Sequence, residues 1–233
     1  MTRARLLALV AGTLYLVTVI TSIPALALKD PVLDDPSSLL NPDKVTSLQW
    51  ACLLEMILAF ACIGTAVALF PIARRQSESA ALGFVASRAL EAAIIVLGVC
   101  AMLVLIDLPR DGASDLTGVD AALVSIHDWA FLLGPGVMPA VNALYLGTVM
   151  YRSGLVPRII PTVGLIGAPI LIVSDVATLF GSLDQVSTLA GVAALPIALW
   201  EISLGIWLVV KGFRPEAFAA LAARPDSLEI TRA

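Results

Sequence analysis

Six long apolar stretches, separated by short polar segments, organise the sequence. They cover about residues 6–28, 48–72, 80–107, 121–150, 159–181 and 188–210. As an α-helix, which rises about 1.5 Å per residue, each stretch is long enough to cross a hydrocarbon core of roughly 30 Å. The segments between them contain turn-forming residues: KDPVLDDPSSLLNPDK, RRQSES, PRDGASD, YRSGLVPR and GSLDQVS. The pattern therefore predicts an all-α, polytopic membrane bundle of six transmembrane helices.

The composition favours a membrane protein over a soluble domain. Hydrophobic residues make up 59% of the 233 residues and charged residues 14%, and the mean hydropathy is +0.97. A soluble domain is about one half apolar and about one quarter charged. The formal net charge of -4 is spread along the chain, without the basic face that nucleic-acid binding requires.

No motif in the sequence indicates a metal site, a cofactor or a disulfide framework. Cys52, Cys62 and Cys100 lie inside apolar stretches, without a CxxC or Cys/His spacing. A Walker loop, a GxSxG, an HExxH and a dinucleotide-binding fingerprint are also missing from the sequence. We therefore expect no metal and no cofactor.

Basic residues are distributed unequally between the two ends of the predicted helices. Only Lys29, Lys44 and Arg110 flank one end. The other end carries Arg3, Arg5, Arg74, Arg75, Arg152, Arg158, Lys211 and Arg214, with Arg224 and Arg232 in the tail. By the positive-inside rule the end rich in basic residues faces the cytoplasm, which places both termini there.

The two ends of the chain carry separate expectations. The residues RAR, an apolar stretch and ALA at 25–27 resemble a cleavable signal peptide as well as a first span. The apolar run at 6–20 reaches the upper length of such signals, so we expect a retained helix. The sequence predicts a six-span transmembrane domain over residues 1–213 and a short cytoplasmic tail over residues 214–233, Ala-rich at first and then polar and frayed.

Several ionisable residues lie within the predicted spans. An isolated charge at the bilayer centre costs at least about 2.5–3.5 kcal/mol, so such residues normally face the bundle interior or water. The acids range in depth from the midplane to the outer half of the membrane, and Arg88 lies slightly to the cytoplasmic side. Together with one neutral companion they form the candidate ligand-binding set: Glu55, Arg88, Glu91, His127, Asp128, Asn142, Asp175 and Glu201.

Two of these residues are spaced for an ion pair on one helix. Arg88 and Glu91 lie at positions i and i+3, which share a helix face. The alternative is that Arg88 holds an anionic ligand group while another residue neutralises Glu91. Glu201 has no cation near it in the sequence. It is either protonated, because burial disfavours the charged form, or paired with Arg88 across the bundle.

The fourth stretch combines a histidine with helix-breaking residues. His127, the only histidine, adjoins Asp128. Neighbours in a helix do not face each other, so this pair does not predict an Asp–His dyad. A polar contact near the outer interface and a proton-handling role both stay open. Further along, the residues GPGVMPAVN at 134–142 predict a kink that opens space at the depth of the acids.

Several quoted stretches resemble a known family: AGTLYLVTVITSI, RALEAAIIVLGV, HDWAFLLGPG, LYLGTVMYRSGLVPRIIPTVGLIGAP and ALPIALWEISLGIWLVVKGF. They are similar to the bacterial membrane proteins grouped as domain of unknown function 4386. YRSGLVPR and LWEISLGIWLVVKGF are the most specific of these pieces. The resemblance covers roughly residues 5–213 and implies six transmembrane helices in a bacterial cytoplasmic membrane. It brings no established activity, and so no catalytic residues.

These observations support a binding site better than a reaction. The leading interpretation is a non-enzymatic membrane protein whose polar, carboxylate-lined interior binds a small amphipathic or lipidic molecule. We expect membrane lipids as partners, and a homo-oligomer is a further possibility. One alternative is an intramembrane enzyme, an isomerase or cyclase, that protonates a lipid or isoprenoid with Glu201, Glu91 or Asp175. Another is a proton-coupled transporter, for which six spans favour a dimer.

Overall fold

The computed structural model describes residues 2–108 and 117–223. The helices are α1 (Arg3–Leu33), a short 3₁₀ helix (Pro36–Leu40), α2 (Pro42–Ala73), α3 (Glu78–Asp107), α4 (Thr117–Phe131), a π-helical segment (Leu132–Gly136), α5 (Val137–Ser153), α6 (Ile159–Leu179), α7 (Thr188–Val210) and α8 (Pro215–Ala222). The segments α4 to α5 run on as one span, so six spans are long and apolar enough to cross a membrane. The predicted all-α bundle of six candidate membrane spans is confirmed.

Polar residues just before the apolar stretches set where the helices begin. The side chain of Ser77 accepts a hydrogen bond from the backbone N–H of Ala80 at the start of α3, and Ser187 does the same with Ala190 in α7. Such caps satisfy backbone N–H groups that have no partner inside the helix. At the end of α5, Gly154 takes the left-handed conformation with φ +66°, which glycine adopts without strain.

The spans close into a ring in chain order. α1 packs against α2, α2 against α3, α3 against α5, α5 against α6, and α6 against α7. α7 returns to pack against α1, and α4 lies on α3. Because the ring is closed, residues from helices far apart in the sequence meet in its interior.

A seam between α1 and α7 completes this ring. A Cβ atom built on Gly12 would lie 2.7 Å from the carbonyl oxygen of Gly205, so the two backbones approach as closely as glycine allows. At the end of the seam, the Arg5 guanidinium donates to the Leu208 and Val209 carbonyl oxygens at 2.9 and 2.6 Å. These are last-turn carbonyls of α7, which lack donors within the helix. Arg5 thus fastens the first span to the last.

The close packing of α1 on α7 leads us to expect that Gly12→Ala destabilises the protein. Gly12→Ala would press a methyl group on backbone and on the Leu208 side chain, which a rotamer change cannot relieve. Overpacking of this kind typically costs about 1–3 kcal/mol. Thermal unfolding in mild detergent measures the loss. The matched control is Gly191→Ala in α7, where a Cβ meets nothing within 4 Å. Equal stability of the two variants would contradict the close packing of this seam.

Two large apolar clusters divide the bundle along its length, beside a small third one of Ala73, Ala81 and Val149. The larger lies at the end that holds the termini and joins buried residues of α1, α2, α3, α5, α6, α7 and α8. The second fills the opposite half between α1, α2 and α3. Most of the buried ionisable residues described below lie near the boundary between these clusters or in the half away from the termini.

The described part of the predicted tail is helical. Leu221 of α8 is buried, at 2% exposure, in the larger apolar cluster, and Arg75 donates to the Ala222 carbonyl oxygen at 3.3 Å. The division into residues 1–213 and 214–233 stays a prediction. Residues 109–116, which include Arg110, and residues 224–233, which include Arg224 and Arg232, lie outside the described residues.

Candidate functional site

The predicted site residues fall into two groups in the structure, with Asp175 apart from both. We call the first the Arg88 cluster: Ser87, Arg88, Glu91, Asn142 and Glu201. We call the second the Lys29 cluster: Lys29, Glu55, His127 and Asp128. The two clusters contain members from α1, α2, α3, α4, α5 and α7, which the closed ring brings inside.

Arg88 is the centre of the first cluster. One guanidinium nitrogen donates to Glu91 Oε2 at 3.1 Å, and the other donates to Glu201 Oε1 at 2.7 Å. The predicted pair with Glu91 is therefore present, and so is the contact with Glu201 across the bundle. Burying a charge is costly unless it is paired, which explains why the cation and both acids point to the same place.

Two neutral residues extend this network to α5. Asn142 donates from Nδ2 to Glu91 Oε2 at 2.7 Å, and the Ser87 hydroxyl donates to Asn142 Oδ1 at 2.5 Å. Glu91 thus accepts hydrogen bonds from both Arg88 and Asn142, whereas Glu201 accepts one from Arg88. Glu91 is the better satisfied of the two carboxyl groups.

Aromatic rings surround the buried guanidinium. The Arg88 Cζ atom lies 5.0 Å from the ring centroid of Tyr15 and 5.8 Å from that of Phe84. Cys62 Sγ lies 3.5 Å from an Arg88 nitrogen. Cation–π contacts favour a guanidinium over an aromatic face. Tyr15, Cys62 and Phe84 could not be assigned to a site from the sequence, because such residues equally suit apolar packing.

The Arg88 cluster contains more carboxyl groups than cations. Two ionised carboxylates, Glu91 and Glu201, would share the single positive charge of Arg88. The side chains of Arg88 and Glu91 are 1% and 5% exposed, whereas that of Glu201 is 14% exposed. The excess negative charge is therefore most accessible at Glu201.

Lys29 is a site residue that the sequence did not reveal. It was expected to flank the outer end of the first span, but α1 continues beyond residue 28 to Leu33. Lys29 is buried and forms an ion pair with Glu55 of α2. Its ammonium group also lies 4.3 Å from the centroid of the Phe131 ring. The polar interior thus has a second cation, and Glu55 has a partner.

The relation between His127 and Asp128 differs from the expectation. His127 Nδ1 and Asp128 Oδ1 are 3.2 Å apart, so these neighbours do contact each other. The side chain of Asp128 is 54% exposed. Because this short side chain lies at the helix surface, it can turn towards the ring of the preceding residue, His127. The His127 ring itself is buried and stacks on Phe131 one turn later, with ring centroids 6.2 Å apart.

The predicted kink takes the form of the π-helical segment. Pro135 lacks an N–H, so the Phe131 carbonyl oxygen cannot accept the usual i+4 helix bond, and the chain forms a wider turn instead. The space beside it is small. A cavity of about 10 Å³ lies between Glu55, His127 and Pro135, with Ile94, Ile95, Gly98, Ala130 and Phe131 completing its walls. That volume suits about one water molecule.

Asp175 belongs to neither cluster. It lies near the C-terminal end of α6, is 8% exposed, and faces Gly136 of the π-helical segment. Its Oδ2 atom has no hydrogen-bond partner among the described residues. The structure therefore supports treating Asp175 separately from the Arg88 and Lys29 clusters.

A comparison with protein families assigns the chain. Residues 10–212 match the family described as Domain of unknown function (DUF4386). The chain belongs to this family. The resemblance inferred from the quoted stretches is thereby confirmed, and the matched residues include both DUF4386 clusters and Asp175. No curated protein matches the chain, and no solved structure does.

The chemistry of this DUF4386 site is that of charge and hydrogen bonding. In the described part of the chain, no group of three or more His, Cys, Asp or Glu residues is placed to hold a metal ion. Larger hollows lie at the surface beside α8, one of about 440 Å³ lined by Arg3, Arg5, Lys211 and Phe213 among others. The interior offers paired charges, an imidazole ring and room for about one water.

Proposed function

We propose that this chain is a membrane-embedded binding protein for a small amphipathic molecule with a positively charged group. The single observation that carries the proposal is the excess carboxylate of the Arg88 cluster, which is most accessible at Glu201. A ligand cation beside Glu201 would supply the second positive charge that two carboxylates require.

The cluster suits a cation better than an anion. Arg88 already contacts both carboxyl groups, so an anionic group would compete with Glu91 and Glu201 for the same guanidinium. Glu201 has a single hydrogen bond among the described residues, through Oε1. Its second oxygen is the natural acceptor for an ammonium group, and charge-assisted bonds of this kind are stronger than neutral ones.

Ligand uptake in this proposal requires the ring to open. Small-molecule sites usually measure about 300–1,000 Å³. The small cavity described beside the polar clusters measures about 10 Å³ and is lined by Glu55 and His127, not by Glu201. Several prolines interrupt the spans, at Pro139 in α5, Pro169 in α6 and Pro196 in α7. Helices that contain a proline bend at that point. A bend at Pro196 would move α7 away from its neighbours close to Glu201.

Alkyl ammonium compounds test this proposal. We expect dodecyltrimethylammonium, below its micellar concentration, to raise the unfolding temperature of the protein in mild detergent, and dodecyl sulfate at equal concentration not to do so. Glu201→Gln keeps the side-chain shape but removes the charge, so it should abolish the cation-specific increase. Glu216→Gln in α8, an exposed acid, is the matched control. If Glu201→Gln responds as the parent does from pH 5 to pH 8, Glu201 is not the centre of the site.

A proton-coupled transporter is the second candidate function, and the same excess carboxylate favours it. A proton on Glu91 or Glu201 would balance the cluster as well as a ligand cation would. Proteoliposomes containing a pH-sensitive dye distinguish the two. Proton uptake driven by a pH gradient, absent in Glu201→Gln, would favour transport. Amphiphile binding without proton movement would favour a binding protein.

The proposed location is a bacterial cytoplasmic membrane with both termini in the cytoplasm. The basic ends of the helices carry the prediction, through the positive-inside rule. A reporter that is active only in the cytoplasm should therefore function when fused at Arg75, Arg152 or Arg214, and should not function at Asp34 or Asp184. Asp34 and Asp184 lie at one end of the bundle, and Arg75, Arg152 and Arg214 lie at the other. Reporter activity at Asp184 but not at Arg152 would overturn the orientation.

A further inference from the structure

Two grooves flank α8 at the end of the bundle where α1 begins. The first, which we call the α7 groove, measures about 440 Å³ and lies between the first turn of α1, the end of α7 and α8. The second, the α2 groove, measures about 330 Å³ and lies between α1, the end of α2 and α8. Arg3 and Phe218 line both grooves. The basic residues of the two grooves are Arg3, Arg5, Arg74, Arg75 and Lys211.

The positive charge of these grooves is not balanced. No Asp or Glu is among the described residues that line either groove. Arg3 and Lys211 are exposed, and within the described part of the chain neither side chain forms an ion pair or a hydrogen bond. Arg5 and Arg75 donate to backbone carbonyl oxygens, which carry no net charge. The two grooves together therefore attract an anion.

Apolar surface borders the same place. Phe213 and Phe218 form part of the wall of the α7 groove. Further along α1 and α7, large apolar side chains are exposed on the outside of the bundle: Leu6, Val10, Ile206 and Val210. The groove thus lies where a span passes from the apolar part of a membrane to its headgroup region. Basic pockets between transmembrane helices at this level bind anionic lipid headgroups.

We propose that the α7 groove binds the phosphate group of an anionic phospholipid, phosphatidylglycerol, whose acyl chains lie along the exposed apolar side chains of α1 and α7. Arg3 and Lys211 donate to the phosphate oxygens, and such charge-assisted hydrogen bonds are stronger than neutral ones. Arg5 adds positive charge while it keeps its bonds to α7. This site is independent of the ligand proposed for Glu201, because none of its residues belongs to the Arg88 cluster.

Arg3→Gln combined with Lys211→Gln is the test variant. Both side chains are exposed, so the variant should fold, and Arg5 stays in place because it fastens α1 to α7. Arg3→Lys combined with Lys211→Arg keeps both charges and should bind the lipid as the parent does. If the test variant does not unfold cooperatively, Lys211→Gln alone decides by the same criteria.

The matched control is Arg158→Gln combined with Arg214→Gln. It removes the same two charges at the same end of the bundle, from a groove of about 470 Å³ that also contains Glu216. The control therefore separates a response of the α7 groove from a response to net charge.

Thermal unfolding of the full-length protein in dodecyl maltoside supplies the measurement, with added dioleoyl phosphatidylglycerol or dioleoyl phosphatidylcholine. The expected result is a saturable rise of several degrees with phosphatidylglycerol only, for the parent and the control. In the test variant, the lipid concentration for half of this rise should increase roughly 20–30-fold, the effect of two basic residues beside the lipid. Dodecyl sulfate does not replace the phospholipid, because it unfolds proteins as well as binding to basic groups.

Four results overturn the proposal. The first is an equal response of the parent to the two phospholipids. The second is an unchanged phosphatidylglycerol response in the test variant, and the third is an equal loss in the control, which assigns the effect to net charge. The fourth is a rise with glycerol phosphate, the headgroup without acyl chains, because the groove would then bind a soluble anion. The response to alkyl ammonium compounds at Glu201 should persist in the test variant, so a failure of either proposal is seen separately.

Discussion

Replacing Arg88 by alanine is expected to remove about 3–5 kcal/mol of stability, the usual cost of breaking a buried ion pair. Arg88 is 1% exposed and donates to both Glu91 and Glu201, so its loss leaves two carboxyl groups without a cation. The measurement is reversible unfolding in mixed detergent micelles, followed by far-UV circular dichroism. Arg152→Ala, at the exposed end of α5, is the control and should change stability by less than about 0.5 kcal/mol.

Second-site variants then locate the origin of this loss. Adding Glu91→Ala to Arg88→Ala should recover part of the stability, because one unpaired acid disappears. Adding Glu201→Gln as well should recover more, since the structure pairs Arg88 with both acids. Recovery of this kind is the mark of coupled residues. If the losses of the single variants simply add, Arg88 is not paired with these acids.

Lys29→Met is expected to be comparably damaging, again by about 3–5 kcal/mol. Methionine preserves most of the length and the apolar stem of the lysine but leaves Glu55 buried without its cation. The variant also loses the contact between the ammonium group and the Phe131 ring. The measurement is the same unfolding experiment, compared with Lys211→Met at the exposed end of α7.

The double variant Lys29→Met with Glu55→Gln provides the internal check. Because it removes both charges, it should be clearly more stable than Lys29→Met alone. If Lys29 only flanked the first span, as the sequence suggested, and did not pair with Glu55, the result would be different. Lys29→Met would then behave like Lys211→Met, and Glu55→Gln would give no rescue.

The spans and one ion pair could be predicted because they depend on local rules. Length and hydropathy determine whether a helix can cross a bilayer, and helix geometry places Arg88 and Glu91 on one face. Contacts between helices depend instead on how the helices are arranged around the ring. The pairing of Arg88 with Glu201 was left open because it depends on the order and rotation of helices around the ring, which hydropathy does not encode.

Lys29 and Tyr15 were missed for different physical reasons. Lys29 precedes Asp30 and Pro31, a polar sequence that normally ends a span, yet α1 continues through Pro31. Tyr15 lies in an apolar run, where an aromatic residue has no distinguishing signal.

The closed ring also sets an order of assembly during synthesis. Lys29 can meet Glu55 once the second span has emerged from the ribosome, and Arg88 can meet Glu91 within the third. Each of these early steps pairs one acid with one base. Glu201 arrives with the sixth span, which also brings the carbonyl oxygens that Arg5 binds. The face of the first span that packs against α7 therefore has no partner until translation of the sixth span is nearly complete. The excess carboxyl group of the Arg88 cluster is added only in that last step.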